Sequence, residues 1–115
     1  MPFFIKLAGH AGASLRRGYE GWVEVSDIEF TQPMLEKEPA AFTVNKSLDA
    51  LSRVFGMKAA DGSTFRYVRL HAVDEAGSAL KIRFDKVEVD GFTIDGKYDR
   101  MMERVTFAAQ SWRNE

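Results

Sequence analysis

The fold turns on Val87-Glu-Val-Asp-Gly-Phe-Thr-Ile94, in which Val87 and Val89 share one face of an extended segment and Phe92 and Ile94 the other. Side chains alternate along a strand with a period of two, so an apolar set that changes phase implies an extra residue or a sharp bend, here at Gly91. The stretch from Tyr19 to Phe30 repeats the slip: Val23 and Val25 precede Ile28 and Phe30, with the break near Ser26-Asp27. Bulges and bends of this kind curl a sheet. Two of them in one short chain predict a barrel rather than a flat sandwich.

The remaining segments fit that architecture. Turn signals at Gly9 to Gly12, Arg17-Gly18, Asp61-Gly62, Glu75-Ala-Gly77-Ser78 and Asp95-Gly96 separate runs of strand length. Phe3, Ile5 and Leu7 alternate with Phe4, Lys6 and Ala8, and further strands are expected at Ala41 to Asn45, Thr64 to Asp74, Ser78 to Asp85 and Met101 to Trp112. Around Glu75-Ala-Gly77, Val68, Leu70 and Ala72 face Leu80, Ile82 and Phe84 as a meander hairpin. In the last strand Val105, Phe107 and Ala109 form the core side. One segment has helical spacing: Ser47 to Gly56 places Leu48, Leu51 and Phe55 on a stripe, with Ser47 as cap, Asp49 in the first turn and Gly56 as terminator. The expected fold is mainly β: a small curled β-barrel of about seven to nine strands with one short α-helix packed on it or plugging one end.

A length of 115 residues predicts a single domain over 1–115. The chain has no cysteine, which excludes disulfides, thiolate metal sites and cysteine nucleophiles. A net charge of −1 gives no bulk electrostatic reason to expect nucleic acid or an anionic membrane as partner. No apolar run approaches the about 18 residues of a spanning helix, and the Met1-to-Gly9 segment is flanked wrongly for a secretory signal.

Catalytic and metal constellations are weak. Gly9-His-Ala-Gly-Ala-Ser14 lacks the Gly-Lys-Ser/Thr ending of a phosphate loop. His10 and His71 have no neighbouring ligands at metal spacing. The acid pairs Glu36/Glu38, Asp85/Glu88/Asp90 and Asp95/Asp99 stand beside Lys37, Lys86, Lys97 and Arg100, the pattern of a solvated surface. Arg16-Arg17 beside Tyr19 and Trp22 reads as a turn that meets a protein neighbour. Gly-x-Ser-x-Gly is absent. Neither enzyme activity nor a cofactor nor a metal site is expected. Large apolar residues nevertheless exceed what the predicted inner faces hold: Phe4, Trp22, Phe65, Tyr67, Met101, Met102 and Trp112 fall opposite them, which points to covering by another chain.

In order, Phe4-Ile-Lys-Leu7, Val23-Glu-Val25 with Ile28 and Phe30, and Phe42-Thr-Val-Asn-Lys46 running into the helix resemble the Hcp family. The resemblance continues through Arg66-Tyr-Val-Arg-Leu70, Leu80-Lys-Ile-Arg-Phe84, Lys86-Val-Glu-Val89 and Arg104-Val-Thr-Phe-Ala-Ala-Gln110. These haemolysin-coregulated proteins form hexameric rings that stack into the inner tube of the type VI secretion system. The resemblance implies a homo-hexamer whose flanks are completed by Phe4, Trp22, Phe65, Tyr67, Met101 and Trp112. It also implies contacts with sheath, spike and effector proteins, and secretion from the bacterial cytoplasm through the apparatus without a signal peptide. Neither nucleic acid binding nor membrane insertion is implied. The segment Thr31 to Ala40 is shorter than the glycine-rich extended loop usual in the family, and Met34 and Leu35 are its expected ring-stacking residues. The residues alone also leave open a monomeric barrel holding an apolar ligand, or an enzyme using His71.

Overall fold

The computed structural model describes residues 3–30, 39–77, 79–97 and 100–115. Its elements are β1 (Phe3–Leu7), β2 (Val23–Val25), β3 (Asp27–Phe30), β4 (Ala40–Ser47), α1 (Ser52–Asp61), β5 (Thr64–Val73), β6 (Ala79–Lys97) and β7 (Arg100–Asn114). All described strand pairs are antiparallel, in the order β2-β1-β5-β6-β7-β4-β3. The two outermost strands of that order are consecutive in the chain and separated only by Ser26. Val23 to Val25 pair with β1, whereas Asp27 to Phe30 pair with β4, and the Ser26 N–H donates to the Asn45 carbonyl at 2.7 Å between them. The break expected near Ser26-Asp27 is therefore the corner that brings the two sides of the sheet together into a nearly closed barrel.

The slip at Gly91 is also present. The β6–β7 register shifts between Val89 and Gly91, leaving Asp90 as the extra residue of a bulge. A second distortion, at Lys86 with φ of 49°, falls in β6 between Asp85, opposite Tyr67, and Val87, opposite Phe65. The hairpin register is as expected, with Val68 opposite Phe84, Leu70 opposite Ile82 and Ala72 opposite Leu80.

Aromatic rings fill the interior. Phe42 stacks on Phe84 at 4.3 Å and on Phe107 at 5.0 Å, and Phe55 of α1 meets Phe107 edge-on at 5.8 Å. All four are fully buried, and burying each side chain contributes about 1.5–3 kcal/mol. The helix thus plugs the barrel as expected, but its position differs. β4 continues to Ser47, which pairs with Met102, and the Leu48 N–H still donates to the Met101 carbonyl. The ladder outcompetes the helical pattern there, and a turn intervenes before α1. The Asp49 carboxylate accepts from the Leu51 N–H, and the Ser52 hydroxyl accepts from the Asp49 N–H. Ser47 is consequently a strand residue rather than a cap, and Gly56 lies inside the helix. Gly62, at φ 73°, is the left-handed terminator, its N–H donating to the Lys58 carbonyl.

The inner stripe of β4 continues from Phe42 and Val44 to Lys46, and that of β7 from Val105 to Glu103. Lys46 and Glu103 are opposed across the strands, both only 1% exposed, and joined by a salt bridge. The Lys46 ammonium also reaches Asp49 at 3.0 Å and the Ser47 carbonyl at 2.9 Å, and it lies 5.6 Å from the Phe55 ring centre. Removing one member of a buried pair leaves an uncompensated charge. Lys46→Met is expected to lower stability by about 3–5 kcal/mol, whereas Lys46→Met combined with Glu103→Leu recovers most of the loss, as read from urea unfolding midpoints.

Candidate functional site

The informative regions are the outer faces of the barrel, which follow from strand alternation. Among the described residues no group of three or more His, Asp or Glu could hold a metal. His10 lies edge-on to Phe65 at 5.7 Å, while His71 sits on the outer face of β5, and neither forms such a cluster. The barrel interior holds the packed rings of Phe42, Phe55, Phe84 and Phe107.

The outer face of β1 and β5 carries a small second core. Phe4, Trp22 and Val73 are buried there, with Tyr19 and Ala79 packed against them. The segment between β1 and β2 folds back over the sheet: the Gly12 N–H donates to the Gly21 carbonyl at 2.7 Å, and the Ser14 N–H to the Trp22 carbonyl at 2.9 Å. A Cβ on Gly12 would lie 2.5 Å from the Trp22 carbonyl oxygen, which requires glycine at this close approach. Tyr19 stacks on Phe4 at 4.4 Å, and its hydroxyl is 3.0 Å from His71 Nδ1. Trp22 lies over His71 with ring centres 4.6 Å apart. His71 is 6% exposed, and its Nε2 is buried without a hydrogen-bond partner in the structure. Burial first, then the charges of Arg69 and Lys81, hold the His71 pKa below its ordinary 6.5.

The surplus aromatics therefore have a different destination from the one expected. Phe4, Trp22 and Phe65 are covered by this chain itself, so exposure gives no reason to assign them to a partner. Phe65 turns inward against Phe55 at 6.2 Å, while Phe4 is covered by the folded-back segment, whose own Trp22 packs into the same small core. Tyr67, Met102 and Trp112 are half-buried, and Met101 is 54% exposed. Ile94 is similarly exposed, close to Met101 on the β6–β7 arm. Met34 and Leu35 lie outside the described residues, as do Glu36, Glu38 and Asp99.

A feature missed in the sequence crosses the same outer face. Lys6 pairs with Arg69, Arg69 with Arg83, and Arg83 with Arg113, forming one cationic row across β1, β5, β6 and β7. Glu115 accepts a forked interaction from Arg69 at 2.8 and 2.7 Å, which holds its carboxyl below the ordinary range. Asp85 accepts from Arg83 at 3.0 Å. Among the described residues Lys6 and Arg113 have no ion-pair partner. Carboxylates gather elsewhere: Asp27 and Glu29 on β3, and Glu88 and Asp90 on the distal half of β6, are all exposed.

No protein-family model matches the chain, and no curated protein matches it in sequence. Solved structures share its fold. A type VI secretion system effector from Yersinia pestis superposes with a TM-score of 0.82 at 20% identity, over 96% of this chain and 85% of the other. Hcp1 from Salmonella typhimurium gives a TM-score of 0.82 at 18% identity, over 96% and 82%. The anti-feeding prophage cap gives 0.61 at 11% identity, over 98% and 87%. The architecture is thus that of a helix-plugged barrel seen in type VI secretion proteins. More narrowly, the chain has an Hcp-like fold.

Two outcomes test the outer core. Between the folded-state pKa of His71 and 6.5 the unfolded chain binds a proton that the native state does not. The contribution of His71 is complete above 6.5 and is lost as pH falls through that window, so unfolding midpoints should decline there. His71→Gln should flatten this dependence. Gly12→Ala should lower stability by about 1–3 kcal/mol and red-shift tryptophan emission as the packing of Trp22 loosens.

Proposed function

We propose that the chain is a non-enzymatic structural subunit of a type VI secretion tube, assembling head to tail into hexameric rings. The observation that carries this reading is the Hcp-like fold over 96% of the chain at a TM-score of 0.82. Physical features agree with it. A ring subunit needs a rigid body with two different flanks that complement each other by rotation. The Phe-packed barrel with its inserted helix supplies the rigid body, and the cationic row and carboxylate-bearing strands supply unlike flanks.

Within this reading Tyr67, Met101 and Trp112 contribute to contacts between subunits, and Met34 and Leu35 to contacts between rings. Sheath, spike and effector proteins are the expected partners, and the subunit leaves the bacterial cytoplasm through the apparatus, in some cases carrying an effector.

Light scattering at micromolar concentration should give the mass of a hexamer, and negative-stain images should show rings with a central opening. A 13.0 kDa monomer at every concentration overturns the reading.

A further inference from the structure

We propose that the row Lys6–Arg69–Arg83–Arg113 of one copy docks against the carboxylates Asp27, Glu29, Glu88 and Asp90 of the next copy. The inference rests on the ring reading and deepens it by naming the two flanks.

The row is a product of register. Each member directly opposes the next on the neighbouring strand, so four cations stand in line across four strands. With strands about 4.8 Å apart the line is about 14 Å long. Like charges directly opposite one another destabilise a sheet, and the chain compensates only the middle of the line. Glu115 engages Arg69 and Asp85 engages Arg83, whereas the end residues Lys6 and Arg113 have no ion-pair partner among the described residues. Lys81, exposed on the next turn of the β6 pleat, adds a further cation beside the row. Trp22 lies under Arg69 at 5.6 Å and Tyr67 under Arg83 at 4.6 Å. These rings support the guanidinium groups, which are about one-third exposed and present donors outward.

The carboxylate flank has the opposite sign and a similar span. Asp27 and Glu29 stand on β3, Glu88 and Asp90 on β6, and β4 and β7 lie between them. That again makes four adjacent strands. Arg104 is the cation that reaches this flank, at 3.5 Å from Glu29 and with both side chains more than half exposed. The two sets share β6 and β7 but stand at different heights along them: Arg83 opposes Arg113, whereas Glu88 and Asp90 lie beyond the Lys86 distortion. Among the described residues no ion pair joins the row to these carboxylates within one copy, so a second copy can supply the match. Unlike flanks on one body make a heterologous contact, the kind that closes into a ring.

Charge reversal tests this. The row variant combines Arg83→Glu with Arg113→Glu, and the flank variant combines Glu88→Lys with Asp90→Lys. Each alone should lose assembly in light scattering. A mixture of the two should regain it, because in an alternating ring every contact again joins opposite charges. Near-UV circular dichroism establishes that each variant is folded. As an independent measurement on the unaltered chain, raising salt from about 0.1 M to about 1 M shortens the screening length from about 10 Å to about 3 Å and should shift the assembly to lower mass. Folded variants that assemble like the parent, or a mixture that restores nothing, overturn the pairing while leaving the ring reading intact. A parent chain that is monomeric throughout overturns the ring reading as well. If the parent binds a DNA oligomer and the row variant loses only that binding, the row is a polyanion site and the pairing is overturned.

Discussion

Everything in this structure depends on the sheet having its outermost strands joined through a single residue. β2 hydrogen-bonds to β1 and β3 to β4, and Ser26 is the only residue between them. A strand edge left open exposes unpaired peptide groups, whereas a nearly closed sheet satisfies them internally. Once Ser26 ties the two sides together, the inward faces of all strands converge on one volume. That volume must then be filled. Phe42, Phe84 and Phe107 fill its centre, and Phe55 arrives from α1 because the strands alone leave that end uncovered.

Closure also explains the charged pair at the end of the inner stripe. Alternation fixes Lys46 and Glu103 on the inner faces, where neither can escape to water without breaking register. Their mutual pairing, with Asp49 and the Ser47 carbonyl around the ammonium, is the arrangement that makes their burial tolerable. The same contacts draw the Asp49 turn against β4, so the polar group that ends the apolar stripe also sets where the helix begins.

Outside the barrel, alternation acts with equal strictness on a different set of side chains. The outward positions of β1 and β5 include Phe4 and His71, which the segment between β1 and β2 covers with Tyr19 and Trp22. The outward positions of the neighbouring register row are all cations. An outer face that is partly a second core and partly a charged line gives the barrel one side unlike its others, as a head-to-tail contact would require.

Local signals were sufficient for the elements that local chemistry controls. The phase change at Gly91, the break at Ser26-Asp27 and the hairpin register around Gly77 can be read from side-chain alternation, because a strand's two faces have different neighbours whatever the rest of the fold does. Arg69 opposite Arg83 follows from that same hairpin register, but the addition of Lys6 and Arg113 requires knowing that β1 and β7 flank it. The helical spacing from Ser47 yields to a long-range ladder with Met102, and cross-strand pairing is invisible to a local window. Phe4 and Trp22 look partner-facing in a local window because no local pattern reveals that the loop carrying Trp22 folds back over Phe4. Periodicity and turn residues act over a few positions, so residue order alone settles a curled, cysteine-free β-domain with one short helix. Which strands meet, and hence which aromatics are core and which cations align, is settled in three dimensions, because those outcomes depend on contacts between residues far apart in the chain.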